Sequence, residues 1–188
     1  MPNKEESTLT VSNLTVEGDL IIIASSNNVI INNCTAKHIS VLGIKNDISV
    51  IIDGCKVTGT PISEVSGNNK YRIYITRPVK ADNAKVSILN SSISDINGHA
   101  IAVNSPGATC EFSIVGNTFS AYGLDGEAGR AAFKIWGDSV LTPTQNIDGE
   151  MNEMAASLAE AIKANITFGT LGENCVAAEF YGAISSFD

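Results

Sequence analysis

Cationic side chains are scarce in this sequence. Twelve Lys and Arg stand against 20 Asp and Glu, a formal net charge of -8. No run of Lys or Arg interrupts that balance, so a phosphate backbone would be repelled and nucleic acid is not an expected partner. Histidine is almost missing: His38 and His99 are the only two. None of the four cysteines (Cys34, Cys55, Cys110 and Cys175) stands in a CxxC pair. A zinc site therefore lacks its usual ligand pattern, and no cofactor is expected. Long apolar runs are lacking too. The longest spans residues 20–24, far too short to cross a bilayer as a helix, so no membrane insertion is expected. The opening Met1-Pro-Asn-Lys-Glu-Glu-Ser7 has no apolar region of a signal peptide. The settings that fit are a cytoplasm, a virion, or a cell surface reached as part of a longer exported protein.

Turn formers and β-branched residues are what the chain has in quantity. Sixteen glycines, with many Asn, Ser and Thr, separate stretches rich in Val and Ile. That mixture favours strands. With 44% apolar and 17% charged residues over 188 positions, the composition is that of one globular domain, residues 1–188.

A phrase of eight residues organises the chain. Val29-Ile-Ile-Asn-Asn-Cys-Thr-Ala36 is followed by Val50-Ile-Ile-Asp-Gly-Cys-Lys-Val57. The same pattern fits Leu9-Thr-Val-Ser-Asn-Leu-Thr-Val16, Val86-Ser-Ile-Leu-Asn-Ser-Ser-Ile93 and Phe112-Ser-Ile-Val-Gly-Asn-Thr-Phe119. Its first column (Leu9, Val29, Val50, Val86, Phe112) and third column (Val11, Ile31, Ile52, Ile88, Ile114) are always apolar. Two positions apart, they face one side of a strand. The fifth column is Asn13, Asn33, Gly54, Asn90 and Gly116, the residues that tolerate a left-handed backbone at a bend. The eighth (Val16, Ala36, Val57, Ile93, Phe119) is apolar again. A further strand recurs after each phrase, at 38–42, 71–76, 99–104, 131–136 and 176–181. In the last three, Ile101, Phe133 and Ala178 are expected inward, as are Val103, Ile135 and Phe180. Ala102, Lys134 and Glu179 then align outside, with Lys134 beside Glu179.

A strand, a bend, a short segment and a second strand, repeated every twenty-odd residues, describe one coil of a solenoid. Residues 29–57, 86–103 and 112–136 resemble the pectate-lyase-like right-handed parallel β-helix superfamily. The expected fold is all-β: a right-handed parallel β-helix of about five to six coils. One amphipathic helix is expected at about 148–164, where Met151, Met154, Leu158, Ala161 and Ile162 recur at helical spacing behind an Asp148 cap. That helix is expected to cover an end or side of the solenoid.

The resemblance implies two kinds of function. Polysaccharide lyases of this superfamily hold Ca²⁺ on carboxylates of neighbouring coils and use Arg or Lys as base. Its hydrolases use clustered Asp. Here the outward fourth column is Ser12, Asn32, Asp53, Leu89 and Val115, and the second is Thr10, Ile30, Ile51, Ser87 and Ser113. Asp53 stands alone. The expected function is thus a non-catalytic structural or adhesive module of a bacterial surface protein or phage particle. It would bind a glycan, a protein partner or copies of itself; the alternative is a carbohydrate-active lyase or hydrolase.

Candidate binding residues lie in the later part of the chain. The excursion at 122–130 holds Tyr122, Asp125, Glu127 and Arg130. Asp125 and Glu127 in a Gly-rich turn are residue types that ligate Ca²⁺, against the plainer reading of a solvated turn in which Asp125 meets Arg130. Asp95 is a further loop carboxylate. Arg72, Arg77, Lys80 and Lys85 form a loose basic stretch, read as a solvated face open to an anionic glycan. Tyr74 and Trp136, if outward over a groove, suit stacking on a sugar; core packing is the competing role. Cys34 and Cys55, in the sixth column with Leu14, Ser91 and Asn117, suit a ladder of reduced thiols. His38 and His99 each stand alone and suit packing or surface positions. The outward apolar pairs Ile30/Ile51 and Leu89/Val115 call for cover by the long loop after Val57 or by a second chain.

Overall fold

The computed structural model describes residues 7–44, 46–58, 71–76, 84–94, 99–104, 111–120, 131–136, 166–168 and 176–180. These residues form strands and turns, with no helix among them. In chain order the strands are β1 (Thr8–Ser12), β2 (Asp19–Ile23), β3 (Asn28–Asn32), β4 (Thr35–Ala36), β5 (His38–Leu42), β6 (Ser49–Asp53), β7 (Lys56–Thr58) and β8 (Tyr71–Thr76). They continue as β9 (Lys85–Leu89), β10 (Ser92–Ser94), β11 (His99–Asn104), β12 (Glu111–Val115), β13 (Asn117–Ser120), β14 (Ala131–Trp136), β15 (Ile166–Phe168) and β16 (Val176–Phe180).

They assemble into three separate parallel sheets. The first has the order β1-β3-β6-β9-β12, the second β15-β13-β10-β7-β4, and the third β16-β14-β11-β8-β5-β2. From β3 to β14 the chain visits the first, second and third sheet in rotation, and each strand pairs with the one laid down a repeat earlier. An isolated parallel bridge between Thr15 and Thr35 carries the second sheet back to the first repeat.

The eight-residue phrase sets the register. Leu9, Val29, Val50, Val86 and Phe112 are successive pairing partners across the first sheet, and so are Val11, Ile31, Ile52, Ile88 and Ile114. Ala36, Val57, Ile93, Phe119 and Phe168 align in the same way across the second. In the third, Leu20, Ile39, Ile73, Ile101, Phe133 and Ala178 form one row, with Ile22, Val41, Ile75, Val103, Ile135 and Phe180 two positions on. Lys134 and Glu179 are level, as the alignment expected. Val29, Ile31, Val50, Ile52, Ile73, Ile75, Ile88, Ile101 and Val103 belong to one buried cluster. Each such side chain contributes about 1.5–3 kcal/mol by burial.

The bend column behaves as its residue types require. Asn13, Asn33 and Asn90 have positive φ, as do Gly54 and Gly116. Gly54 and Gly116 also answer a packing demand. A Cβ on Gly54 would lie 2.5 Å from Asn33 Oδ1, and one on Gly116 would lie 2.6 Å from Asn90 Oδ1. The amide of one repeat therefore occupies the space that a side chain would need in the next.

Just inside the bend, the sixth column ties the repeats together. Cys34 Sγ donates to Val11 O at 3.7 Å, Cys55 Sγ to Ile31 O at 3.6 Å, and Asn117 Nδ2 to Ile88 O at 2.7 Å, each reaching one repeat back. In the other direction, Cys55 N donates to Ser91 Oγ at 3.1 Å and Ser91 N to Asn117 Oδ1 at 2.9 Å. Cys34 and Cys55 are free and buried. Burial, the leading cause, pushes the Cys55 thiol up to about 11. It remains a protonated donor rather than a nucleophile.

Residues 166–168 and 176–180 contribute β15 and β16 to the second and third sheets. The helix expected at about 148–164 and the excursion at 122–130 lie outside the described residues, as does most of the loop after Thr58. Ile30, Ile51 and Leu89 are half-buried on the outer side of the first sheet.

Candidate functional site

The outer face of the third sheet gathers the polar groups that the inner rows exclude. Alternation along β5 turns Ile39 and Val41 into the core and His38 and Ser40 outward. Asp19 on β2 pairs in register with His38, and Ser40 pairs with Tyr74 on β8. Arg72 stands level with His38, one position before the Ile39–Ile73 pair. Asp19, His38 and Arg72 thus share one rung, with Ser40 and Tyr74 on the next.

The contacts are specific. Ser40 Oγ shares a hydrogen bond with His38 Nε2 at 2.8 Å. On the other side of the ring, His38 Nδ1 lies 3.9 Å from Asp19 Oδ2. Arg72 Nη1 donates to Lys37 O at 3.1 Å. The Tyr71 and Tyr74 rings stack with centroids 5.0 Å apart. The His38 pKa is lowered, chiefly because burial penalises the charged imidazolium. Asp19 pulls it up and Arg72 pushes it further down. At neutral pH the ring is therefore uncharged.

Serine, histidine and aspartate in this order are the residue types of a nucleophile, its base and an orienting group. Two facts decide against that use. The Asp19–His38 separation is beyond hydrogen-bond range. Ser40 is also only 4% exposed, and His38 5%, so no substrate carbonyl reaches the hydroxyl. The group is a buried polar cluster that spans β2, β5 and β8, in which Asp19 Oδ1 and Arg72 Nε make no hydrogen bond.

Arg72 and Tyr74 are brought together, but not as an open binding face. Arg72, expected on a solvated basic stretch, is 1% exposed, and Tyr74 is 8% exposed. The cause is tertiary. Ala100 and Ala102 on β11 are fully buried too, so the outer face of the third sheet is covered along β5, β8 and β11. A guanidinium in that layer requires partners, and the Lys37 carbonyl is one. His38, expected to stand alone, has Asp19 and Ser40 as neighbours. Trp136 pairs in register with Asn104, one rung beyond the level of Tyr74 and two strands along. Tyr122, Asp125, Glu127, Arg130 and Arg77 lie outside the described residues. Among the described residues no group of three or more His, Cys, Asp or Glu is placed to hold a metal ion. Asp53 accepts a hydrogen bond from Asn90 Nδ2 at 3.0 Å.

The covered layer stops at β2. Ile21 is 56% exposed and Ile23 is 74% exposed, and Leu14 of the same repeat is 42% exposed. These are the large exposed apolar side chains among the described residues. The eight-residue columns leave out 19–23, so sequence reasoning missed both this edge and the Asp19–His38 pair. The signal was present: laying Asp19-Leu-Ile-Ile-Ile23 over His38-Ile-Ser-Val-Leu42 sets Asp19 level with His38 and turns two isoleucines outward. Compared with protein-family models, curated proteins and solved structures, the chain gives no match.

Proposed function

We propose that the three sheets are the sides of one right-handed parallel β-helix of the pectate-lyase-like kind, and that the protein is a non-catalytic structural or adhesive module. The rotation of the chain through three parallel sheets supports the winding, and parallel crossovers are right-handed in nearly all proteins. The module belongs to a surface protein or a virus particle and works by contact, with a glycan, a protein or another copy.

One observation carries the contact role: Leu14, Ile21 and Ile23, all in the first repeat, are the large exposed apolar side chains among the described residues, whereas His38, Ser40 and Arg72 are buried. Ile21 and Ile23 lie two apart on one face of β2, and adjacent exposed apolar side chains of this kind support an interaction site. A carbohydrate-active enzyme is the competing function, and assay decides between them. The full chain is offered acidic and neutral polysaccharides with and without Ca²⁺, and a glycan array in parallel. Binding or no binding without chain cleavage agrees with the proposal. Cleavage that is lost in Asp125→Asn or Arg130→Gln overturns it.

A further inference from the structure

We propose that Cys34 and Cys55 close into a disulfide under oxidising conditions, a reversible staple between two successive repeats. The inference goes beyond the contact role proposed above and does not depend on it.

Register places the two thiols side by side. Cys34 and Cys55 hold the same place, just after the left-handed bend at Asn33 and Gly54. Asn32 is level with Asp53 before them, and Thr35 with Lys56 after them. Lys56 N donates to Cys34 O at 2.8 Å and holds the two segments together. Level residues of neighbouring parallel strands are about 4.8 Å apart, inside the Cα span of about 4.4–6.8 Å that a disulfide bridges. Cys55 Sγ reaches one repeat back, to Ile31 O at 3.6 Å, and so leans toward the repeat that holds Cys34. Cys34 Sγ leans the same way, to Val11 O at 3.7 Å. Closure therefore asks Cys34 to turn forward while Cys55 keeps its lean. Neither cysteine has another thiol beside it in this column: Leu14 precedes Cys34, and Ser91 follows Cys55.

Both thiols are free, and each residue is 1% exposed. The oxidant is a small disulfide such as oxidised glutathione. One protein thiolate attacks it, forms a mixed disulfide and expels one small thiolate. The second protein thiolate attacks that mixed disulfide, forms the Cys34–Cys55 bond and expels the other. Two protein S–H bonds are lost and one S–S bond is gained. The small disulfide takes the two electrons, and the two protons leave with its thiols. Burial makes the exchange slow. It limits access, and it pushes the Cys55 thiol up to about 11, so little thiolate is present at neutral pH. The stack also keeps the bond reversible. The Cβ atoms of an unstrained disulfide are about 3.8 Å apart, closer than a strand spacing, so the bond draws two repeats together against their pairing and is the more easily reduced. Disulfides persist in oxidising surroundings, so the staple is open in a cytoplasm and closed on an exposed surface.

Incubation of the full chain in glutathione buffers of increasing oxidised fraction, at mildly alkaline pH, tests this. Remaining thiols are then alkylated in urea and the chain is digested. Trypsin cuts after Lys37, Lys45 and Lys56, so the two cysteines fall on different peptides. The expected product is one linked pair of peptides joining Cys34 to Cys55, formed in the folded chain and released by dithiothreitol. The thermal midpoint should rise by roughly 5 °C on oxidation. Cys34→Ser should lose both the link and the rise; Ser91 shows that a serine fits this column. Full alkylation of Cys34 and Cys55 after the most oxidising buffer overturns the proposal, as does a glutathione adduct that goes no further. A link to Cys110 or Cys175 in place of the Cys34–Cys55 link overturns it too, as does a link that forms only in urea. A link that leaves the midpoint unchanged overturns the staple. None of these results touches the non-catalytic function, which stands or falls on the polysaccharide assay.

Discussion

At the scale of single residues, two left-handed glycines, Gly54 in the bend column and Gly43 after β5, separate two demands on a glycine. Gly54 has φ of 61°, and a Cβ there would meet Asn33 Oδ1 at 2.5 Å. Gly43 has φ of 74° with nothing within 4 Å of the same atom. A left-handed L-residue costs roughly 1–2 kcal/mol. Gly43→Ala is expected to cost about that much, and Gly54→Ala about 1 kcal/mol or more beyond it, because the Asn33 amide must also move. Urea denaturation of the two variants measures the difference. Equal losses would mean that the amide has room to give. Gly54 was legible in the sequence, since Asn and Gly in one column point to a left-handed bend; Gly43 lies outside that column. The buried Arg72 was not. A charged residue in a strand reads as solvated, and its burial follows from a cover over the outer face that no local pattern reveals.

At the scale of elements, β2, β5 and β8 are joined by the Asp19–His38–Ser40–Arg72 cluster. The folded His38 has a pKa below its ordinary 6.5 because burial penalises its charged form. The unfolded chain therefore binds the proton more readily, and linkage fixes the sign. The stability contribution is fully present above about pH 6.5 and falls as the pH drops from there through the lowered folded value. Denaturation midpoints of wild type and His38→Asn, compared from neutral to mildly acid pH, should converge as the pH falls. Parallel curves would remove His38 as the cause. The strands themselves were legible because each row repeats one kind of side chain at a fixed place in the phrase. The 99–104, 131–136 and 176–180 strands fall in the expected register for that reason. The Asp19–His38 pair was missed because its members are level only once 19–23, a strand outside the eight-residue phrase, is laid over 38–42. Nor did the apolar run at 20–24 show whether it lay at the centre or the edge of a sheet.

At the scale of the whole molecule, like stacks on like through three sheets. Valine and isoleucine fill the inside, Asn and Gly turn the first bend, and a thiol, hydroxyl and amide ladder lies beneath it. The exposed apolar side chains Ile21 and Ile23 sit at one end of this regular body, on β2. The central claim is that the three sheets wind as one right-handed solenoid. An experimental structure of the full chain tests it most directly. The expected result is a right-handed path through β3, β4, β5 and β6, with Val29, Val50 and Val86 in one interior row. A left-handed path, or three sheets that do not enclose a common core, would contradict it.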